Sequence, residues 1–391
     1  RFSPLRRMTV IRTPTRHLRI TSAVGATLAL AATALGAPPA QAAPASSVVG
    51  VTIGADGRIY GSTIPSAPNP APLSNVVIAP PGAGISAAAQ ADGSLAVFTI
   101  GTQGGLIVGR QNPTGGSSLS FFADGPSNLA PPGGNVTALS SPSGIHVFFA
   151  GRDGAIHHTR YSQLVLPGAG PRAITPAGIA RPGAPVGAVL LPNNVPAAVF
   201  AGTNGALFAL TAPSGTWVTR QISPTGVTTP GSGVAAASTD TGAAVFFTSP
   251  DGALLATLLP ATPVTTPWQY LVVSGSGTVP AGARPVAARL PNGTLVVAFA
   301  GRDGAIRLAS NASGNWSAPE AATQPGVAPT AAPISLTIAD EFLWVGWCGN
   351  EDRWWQLLRM RWPRPLPLPG DLFSFPAPNL RAGAGVALVT L

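Results

Sequence analysis

Read for its apolar and polar positions, the chain is a succession of short apolar runs cut by glycine-rich turns. No stretch repeats at the helical period of about 3.6 residues. The strongest runs are LAVFTI from Leu95, IHVFFA from Ile145, AAVFA from Ala197, AAVFF from Ala243, LVVAFA from Leu295 and FLWVGW from Phe342. Each is apolar almost throughout, as expected of a strand covered on both faces. Most are preceded by a second, weaker strand: ISAAAQ from Ile85, VTALSS from Val136, PVGAVLL from Pro185, VAAAS from Val234 and PVAARL from Pro285. Between the two lie Ala91-Asp92-Gly93, Pro142-Ser143-Gly144, Pro192-Asn193-Asn194, Asp240-Thr241-Gly242 and Pro291-Asn292-Gly293. Gly and Asn reach the positive φ of tight hairpin turns, so the two strands read as a hairpin.

Each strong run leads into a second turn, GRDGAI at Gly151 and again at Gly301. Weaker copies are GADGRI (Gly54), GTQGGL (Gly101), GTNGAL (Gly202), SPDGAL (Ser249) and GNEDRW (Gly349). The fourth residue of each falls at 57, 104, 154, 205, 252, 304 and 352, so the seven copies stand 47 to 52 residues apart. The turn launches a third strand, and a Pro- and Ser-rich passage often holding one Trp (Trp217, Trp268, Trp316) accounts for a fourth, outer one. Four short strands in a unit of this length predict a propeller blade. The expected fold is all-β: a seven-bladed β-propeller of four-stranded antiparallel blades.

The ends sharpen this. Val48–Ile53 and GADGRIYGST are a second strand, its turn and a third strand with no first strand before them, whereas AGVALVTL from Ala384 is a first strand with nothing after it. Pairing the two completes a blade and closes the ring, removing the sheet edges an open array exposes. Blade units are expected near 84–132, 133–182, 183–230, 231–281, 282–325 and 326–380, with 384–391 and 47–83 sharing the last. The Pro-dense stretch Arg359–Pro378 reads as a divergent loop in the outer-strand position and holds no expected site.

Composition alters the picture at one end. The net charge is +9, with no Lys, but six Arg and no acid precede residue 42. From Ala43 onward 16 Arg face 13 acids, spread without the basic stripe that a phosphate backbone needs, which excludes nucleic acid as the expected partner. Arg12, Arg16 and Arg19, an apolar stretch over Ile20–Ala37 and the small-x-small site Ala40-Gln41-Ala42 read as a secretory signal after an initiator at Met8. The chain therefore divides into 1–42, upstream residues and signal, and 43–391, one propeller, expected to be exported and without a membrane span. Cys348, the one cysteine, lies among strand residues and reads as buried and inert.

Enzyme chemistry finds little footing. His157 and His158 are adjacent on a strand and point to opposite faces, so no metal site is expected, and no cofactor. HExxH, G-x-S-x-G and Walker A patterns are absent. Ser238–Gly242 imitates half of a sialidase Asp-box, but no pair of catalytic carboxylates can be nominated. The turn acids Asp56, Asp153, Asp251 and Asp303 are read as hydrogen-bonding their own backbone.

The unit, an apolar strand, then G-x-D-G-A-L and later G-x-W, resembles the repeats of the bacterial seven-bladed propeller lectins that bind fucose and related sugars. The best matches are VVAFAGRDGAIRLASNASGNWSAP from Val296 and AAVFAGTNGALFALTAPSGTWV from Ala197, and the likeness spans nearly all of 43–391. Many such units follow D-G-A-L with an aromatic residue and then His. That aromatic position holds Tyr60, Ile107, His157, Phe208, Leu255, Arg307 and Trp355, and His follows only at His158. The resemblance implies a non-catalytic carbohydrate-binding protein whose partners are glycans or cell-wall polymers. A sugar site pairs a ring face with hydrogen-bonding side chains. The candidates are Tyr60, His157, Phe208, Arg307 and Trp355 with the turn residues Arg152 and Arg302. Trp217, Trp268 and Trp316 are outer candidates, but a ring that recurs once per blade is more often packing between blades. The alternatives are a scaffold for a protein or cell-wall partner, or a sialidase-like glycosidase.

Overall fold

The computed structural model describes residues 47–391 apart from 65–66, 112–117, 163–169, 263–267, 281, 313, 351–353, 362–370 and 377–383, and only the backbone of 67–68, 354–357, 371 and 375–376. The signal expected over 1–42 lies outside the described residues. The rest forms seven four-stranded antiparallel sheets, each running from inner strand to outer strand in chain order except the first. Blade 1 takes its inner strand from the far end of the chain: Val386–Thr390 pairs with Val48–Ile53, which pairs with Ile59–Ile64, which pairs with Ala67–Pro72. The register sets Val48 opposite Thr390 and Thr52 opposite Val386, the closure that the chain ends predict.

The core is not one mass but seven wedges, one at each junction of neighbouring blades. Successive side chains of a strand point to opposite faces, so every second strand must serve two wedges at once. In blade 5, Val245 and Phe247 pack toward blade 4 while Ala244 and Phe246 pack toward blade 6. That is why Gly242–Thr248 is buried along its whole length.

The repeated turn owes its sequence to close approach. Gly304 has φ +73, and a Cβ there would lie 2.5 Å from the Ala328 carbonyl oxygen of the segment leading into blade 7. The Ala328 N–H in turn donates to the Gly304 carbonyl at 2.9 Å, and Ala130, Ala180, Thr228 and Val279 make the same bond in other blades. Asp303 Oδ1 accepts the Ala305 N–H at 3.1 Å, and Asp153 and Asp56 accept the amides of Ala155 and Arg58, so these three turn acids bind their own backbone as expected, whereas Asp251 is held chiefly by the Ser249 and Ser276 hydroxyls. One bond joins blades that are not neighbours: Arg284 of blade 6 donates to Asn135 Oδ1 of blade 3 at 2.5 Å.

The stretch Arg359–Pro378 corrects the sequence reading. Trp354–Arg361 is the third strand of blade 7 and Asp371–Pro376 its outer strand, with Leu358 opposite Leu372. The alternation D-L-F-S-F is a strand pattern, but the prolines that crowd it hide the period. Arg359 lies over the rings of Phe342, Trp344 and Phe373, 4.8 to 5.8 Å from their centroids, a cation–π cluster that holds the sheet edge.

Cys348 is 1 % exposed at the wedge between blades 7 and 1. The Thr52 hydroxyl donates to the Gly385 carbonyl at 2.8 Å, which leaves its oxygen to accept the thiol at 3.6 Å. Burial pushes the thiol pKa up to about 12. The native protein should therefore react with Ellman's reagent only at its unfolding rate, and release one equivalent at once in denaturant. Rapid reaction of the native protein would show the wedge to be open.

Candidate functional site

Five of the residues anticipated as sugar contacts, Tyr60, His157, Phe208, Arg307 and Trp355, sit at the second position of the third strand of their blades, and the first four lean toward the preceding blade. Tyr60 is 9 % exposed in the wedge with blade 7 and donates its hydroxyl proton to Asp56 Oδ2 at 2.8 Å. His157 stacks on Phe149, its cross-strand partner, with centroids 5.4 Å apart, and sets Nε2 3.3 Å from Asp153 Oδ1. Phe208 stacks on Phe200 in the same manner, at 5.4 Å. Arg307 stands opposite Phe299 and donates to Asp303 Oδ2 at 2.7 Å. Burial raises the Asp303 pKa, but the Arg307 hydrogen bond and the Ala305 amide together outweigh it and hold the carboxyl below its usual range.

The position is thus a cover for the turn. A Cβ on Gly151 would lie 2.5 Å from His157 Nε2, and one on Gly301 would lie 2.9 Å from Arg307 Nε, so the first glycine of the repeat makes room for this side chain. Arg152 and Arg302 are exposed on the turns. Arg302 reaches the preceding blade, where its Nη2 is 3.0 Å from a Cβ built on Gly252. Arg152 and His157 belong to one turn and its strand, as do Arg302 and Arg307, and the partners recorded for His157 and Arg307 are the turn acids Asp153 and Asp303. Trp355 lies opposite Cys348 in the third strand of blade 7, and its side chain is outside the described residues.

The outer tryptophans follow one rule: each leans on the blade before its own. Trp217 packs edge-on to Phe148 at 5.3 Å, Trp316 edge-on to Phe246 at 5.2 Å, and Trp268 against the wedge between blades 4 and 5. Around Trp217 the rings form a hydrogen-bonded chain whose direction is fixed. An indole N–H can only donate, and Trp217 Nε1 donates to His158 Nδ1 at 3.2 Å. His158 Nε2 then carries the proton and donates to His146 Nδ1 at 3.0 Å, and His146 Nε2 donates to Ser143 Oγ at 3.1 Å. The Ser143 hydroxyl donates to Ser141 Oγ, which ends the chain by donating to the Gly144 carbonyl at 2.8 Å. Both imidazoles are neutral in this arrangement. Burial lowers His158 to about 3 and His146 to about 4, helped in each case by the Arg160 charge.

A groove of 1190 Å³ runs along the outer flank of blade 5, between the outer strand of blade 4 and the part of blade 6 that carries Leu295, Asn311 and Trp316. Its lining includes Trp268, Tyr270 and Trp316, with Arg220, Gln221, Gln269 and Asn311 among them. Tyr270 is 50 % exposed and tilts against Trp268 with centroids 5.0 Å apart. Exposed Leu258 and Leu271 complete an apolar bank. Of this group the sequence singled out only the two tryptophans. The tripeptide Trp268-Gln269-Tyr270, two ring-bearing residues flanking an amide, was the local signal for the rest. Arg220 and Gln221 come from another blade, and only the fold sets them on the same groove.

The fold is similar to that of three solved structures, two of them lectins by name. The BP39L lectin from Burkholderia pseudomallei superposes with a TM-score of 0.73 at 22 % identity, over 83 % of this chain and 94 % of that one. The SapL1 lectin in complex with alpha methyl fucoside gives 0.52 at 17 %, over 78 % and 97 %. AofleA from Arthrobotrys oligospora gives 0.56 at 12 %, over 79 % and 89 %. At these identities the likeness establishes the fold, a propeller shared with lectins, as the repeat units suggested. No protein-family model and no curated protein matches the chain. Among the described residues, no helix is long and apolar enough to cross a membrane.

Proposed function

We propose that this protein is an exported, non-catalytic propeller that binds glycans, and that its principal site is the groove on blade 5. The observation that carries the reading is the groove's lining: ring faces from Trp268, Tyr270 and Trp316 beside the amides of Gln221, Gln269 and Asn311. Sugars present both apolar C–H faces and hydroxyls, so a lining of rings and hydrogen-bonding side chains is complementary to them. The named lectins of this fold, one of them with alpha methyl fucoside, support the same class of ligand. Export is proposed from the basic, apolar and small-residue succession over 1–42.

A second set of contacts is proposed on the turns, at Arg152, His157, Arg302 and Arg307, with Tyr60, Phe208 and Trp355 at the equivalent positions of their own blades. The observation in its favour is the exposure of Arg152 and Arg302 beside the covering side chains. Weak sites repeated round a rigid ring act together on a dense glycan surface.

A glycan array on the protein recovered from culture medium, whose first residue should be Ala43, tests the reading. Tyr270→Ala serves as the site variant, because that ring is half exposed and its loss leaves the wedges filled. It should weaken binding about tenfold, the worth of one stacked ring, with the melting temperature kept. Arg302→Ala tests the turn set in parallel. Absence of binding to any glycan, with a protein recovered by pull-down, would sink the reading in favour of a protein-binding scaffold.

A further inference from the structure

We infer that the groove on blade 5 selects acidic saccharides, sugars bearing a carboxylate or a sulfate, and that Arg220 reads the charge. The inference rests on the glycan-binding reading of that groove.

The argument is a balance of donors and acceptors. Arg220 lines the groove half buried, and among the described residues no carboxylate or carbonyl pairs with its guanidinium. Four other described arginines have an acid at hand: Arg58 with Asp56, Arg289 with Asp240, Arg307 with Asp303 and Arg361 with Glu341. The residues lining the groove include no Asp and no Glu. Asn311 has its oxygen occupied by the Leu295 N–H at 2.7 Å, so its amide group remains as a donor. Trp268 has an indole N–H that is buried and without an acceptor. An indole N–H and a guanidinium only donate. The side-chain acceptors in the lining are neutral oxygens such as Gln221 Oε1, whose amide nitrogen is bound to the Ser223 carbonyl at 2.7 Å.

The groove therefore offers donors, one of them a cation, in excess of acceptors. Neutral sugars carry hydroxyls that donate as often as they accept, and would leave part of that excess unused. A carboxylate or sulfate only accepts, and a guanidinium binds it through two parallel hydrogen bonds. A cation in a partly buried groove is less screened by salt than one on open surface. Tyr270 and Trp268 would stack on the sugar ring while Arg220 holds its acidic substituent.

The test is an array printed in acid and neutral pairs: oligogalacturonate with its methyl ester, 3′-sialyllactose with lactose, and sulfated with unsulfated galactose. The wild-type protein should bind at least one acidic member about tenfold or more tightly than its neutral partner, with the preference falling as salt is raised. The pair that responds separates carboxylate from sulfate as the group read. Arg220→Gln should abolish the preference and Arg220→Lys restore part of it, both with an unchanged melting temperature, since no carboxylate or carbonyl among the described residues pairs with the side chain. Equal binding of acid and neutral members overturns the inference and leaves the glycan reading standing, as does an acidic preference that survives in Arg220→Gln. Binding to no glycan at all removes both.

Discussion

A chain ending at Gly383 should lose at least 10 °C of melting temperature, on the order of 5 kcal/mol, or fail to fold as a monomer. The removed segment, Ala384–Leu391, carries four buried apolar residues, Ala384, Val386, Ala387 and Leu388. Burying a Val or Leu side chain is worth about 1.5 to 3 kcal/mol. The deletion also takes the Gly385 carbonyl from Thr52, the Leu388 N–H from Ser335 and the Thr390 hydroxyl from Ile338. Val48–Ile53 would become an open inner edge, buried on both faces and lacking a partner, which invites pairing between chains. The effect should not stay local, because each wedge is shared and blade 1 faces both blade 7 and blade 2. Thermal denaturation followed by circular dichroism, with size-exclusion chromatography, measures it. Adding the peptide 384–391 in trans should recover part of the loss. A truncated monomer that melts within about 2 °C of the full chain would show that the ring does not depend on closure.

Acid should destabilise the protein well above the range where carboxylates titrate. His146 and His158 have folded pKa values lowered from 6.5 to about 4 and about 3, by burial first and by neighbouring charge second. Below pH 6.5 the unfolded chain takes up protons at both residues while the folded chain does not, so stability must fall as pH falls. The loss begins near 6.5 and continues until the folded pKa values are reached near 4 and 3. Its size is on the order of 3 kcal/mol for the interacting pair. The hydrogen-bond chain gives the mechanism. A proton on His158 Nδ1 would face the Trp217 N–H, donor against donor, and one on His146 Nδ1 would face the His158 N–H. The charged groups nearest the pair add to the effect, since Arg160 repels a second positive charge. The turn acids Asp92, Asp153, Asp251 and Asp303 have pKa values lowered from 3.8, so their contribution is lost below that value and leaves the higher window to the histidines. Urea denaturation at pH 7.5 and 4.5 should show the difference, and the double variant His146→Gln/His158→Gln should flatten it. A wild-type stability unchanged across that interval would mean that the imidazoles are not held neutral.

Different parts of the molecule were legible to different degrees. The G-x-D-G turns counted the blades because their residues answer to local geometry, a positive φ at the fourth position and an Asx bond to the backbone. Ring closure was legible because a blade that lacks its inner strand near residue 48 and a lone inner strand near residue 386 complete each other. The outer strand Asp371–Pro376 was missed, since outer strands bury little and leave a weak period among prolines. The connection that packs on each turn, with its repeated glycine at Gly178, Gly226, Gly277 and Gly326, passed for a variable passage because its meaning lies in a contact with the turn before it.

The candidate site divides in the same way. Tyr60, His157, Phe208 and Arg307 were found as one position by alignment of the repeats, and that alignment is correct. What their side chains do was decided by the turn acids and glycines beneath them, which engage them in covering the turn. The groove was decided entirely by tertiary structure, because Arg220, Tyr270 and Asn311 come from three consecutive blades and meet only when those blades pack side by side. By itself the sequence determined the strands, the turns, the number of blades and the joining of the ends, all consequences of local backbone geometry and of burial pattern. The tertiary structure alone decided which polar side chains are already satisfied and which are left over. That is a property of neighbours distant in the chain, and among the described residues it leaves the Arg220 guanidinium without an acceptor beside aromatic rings.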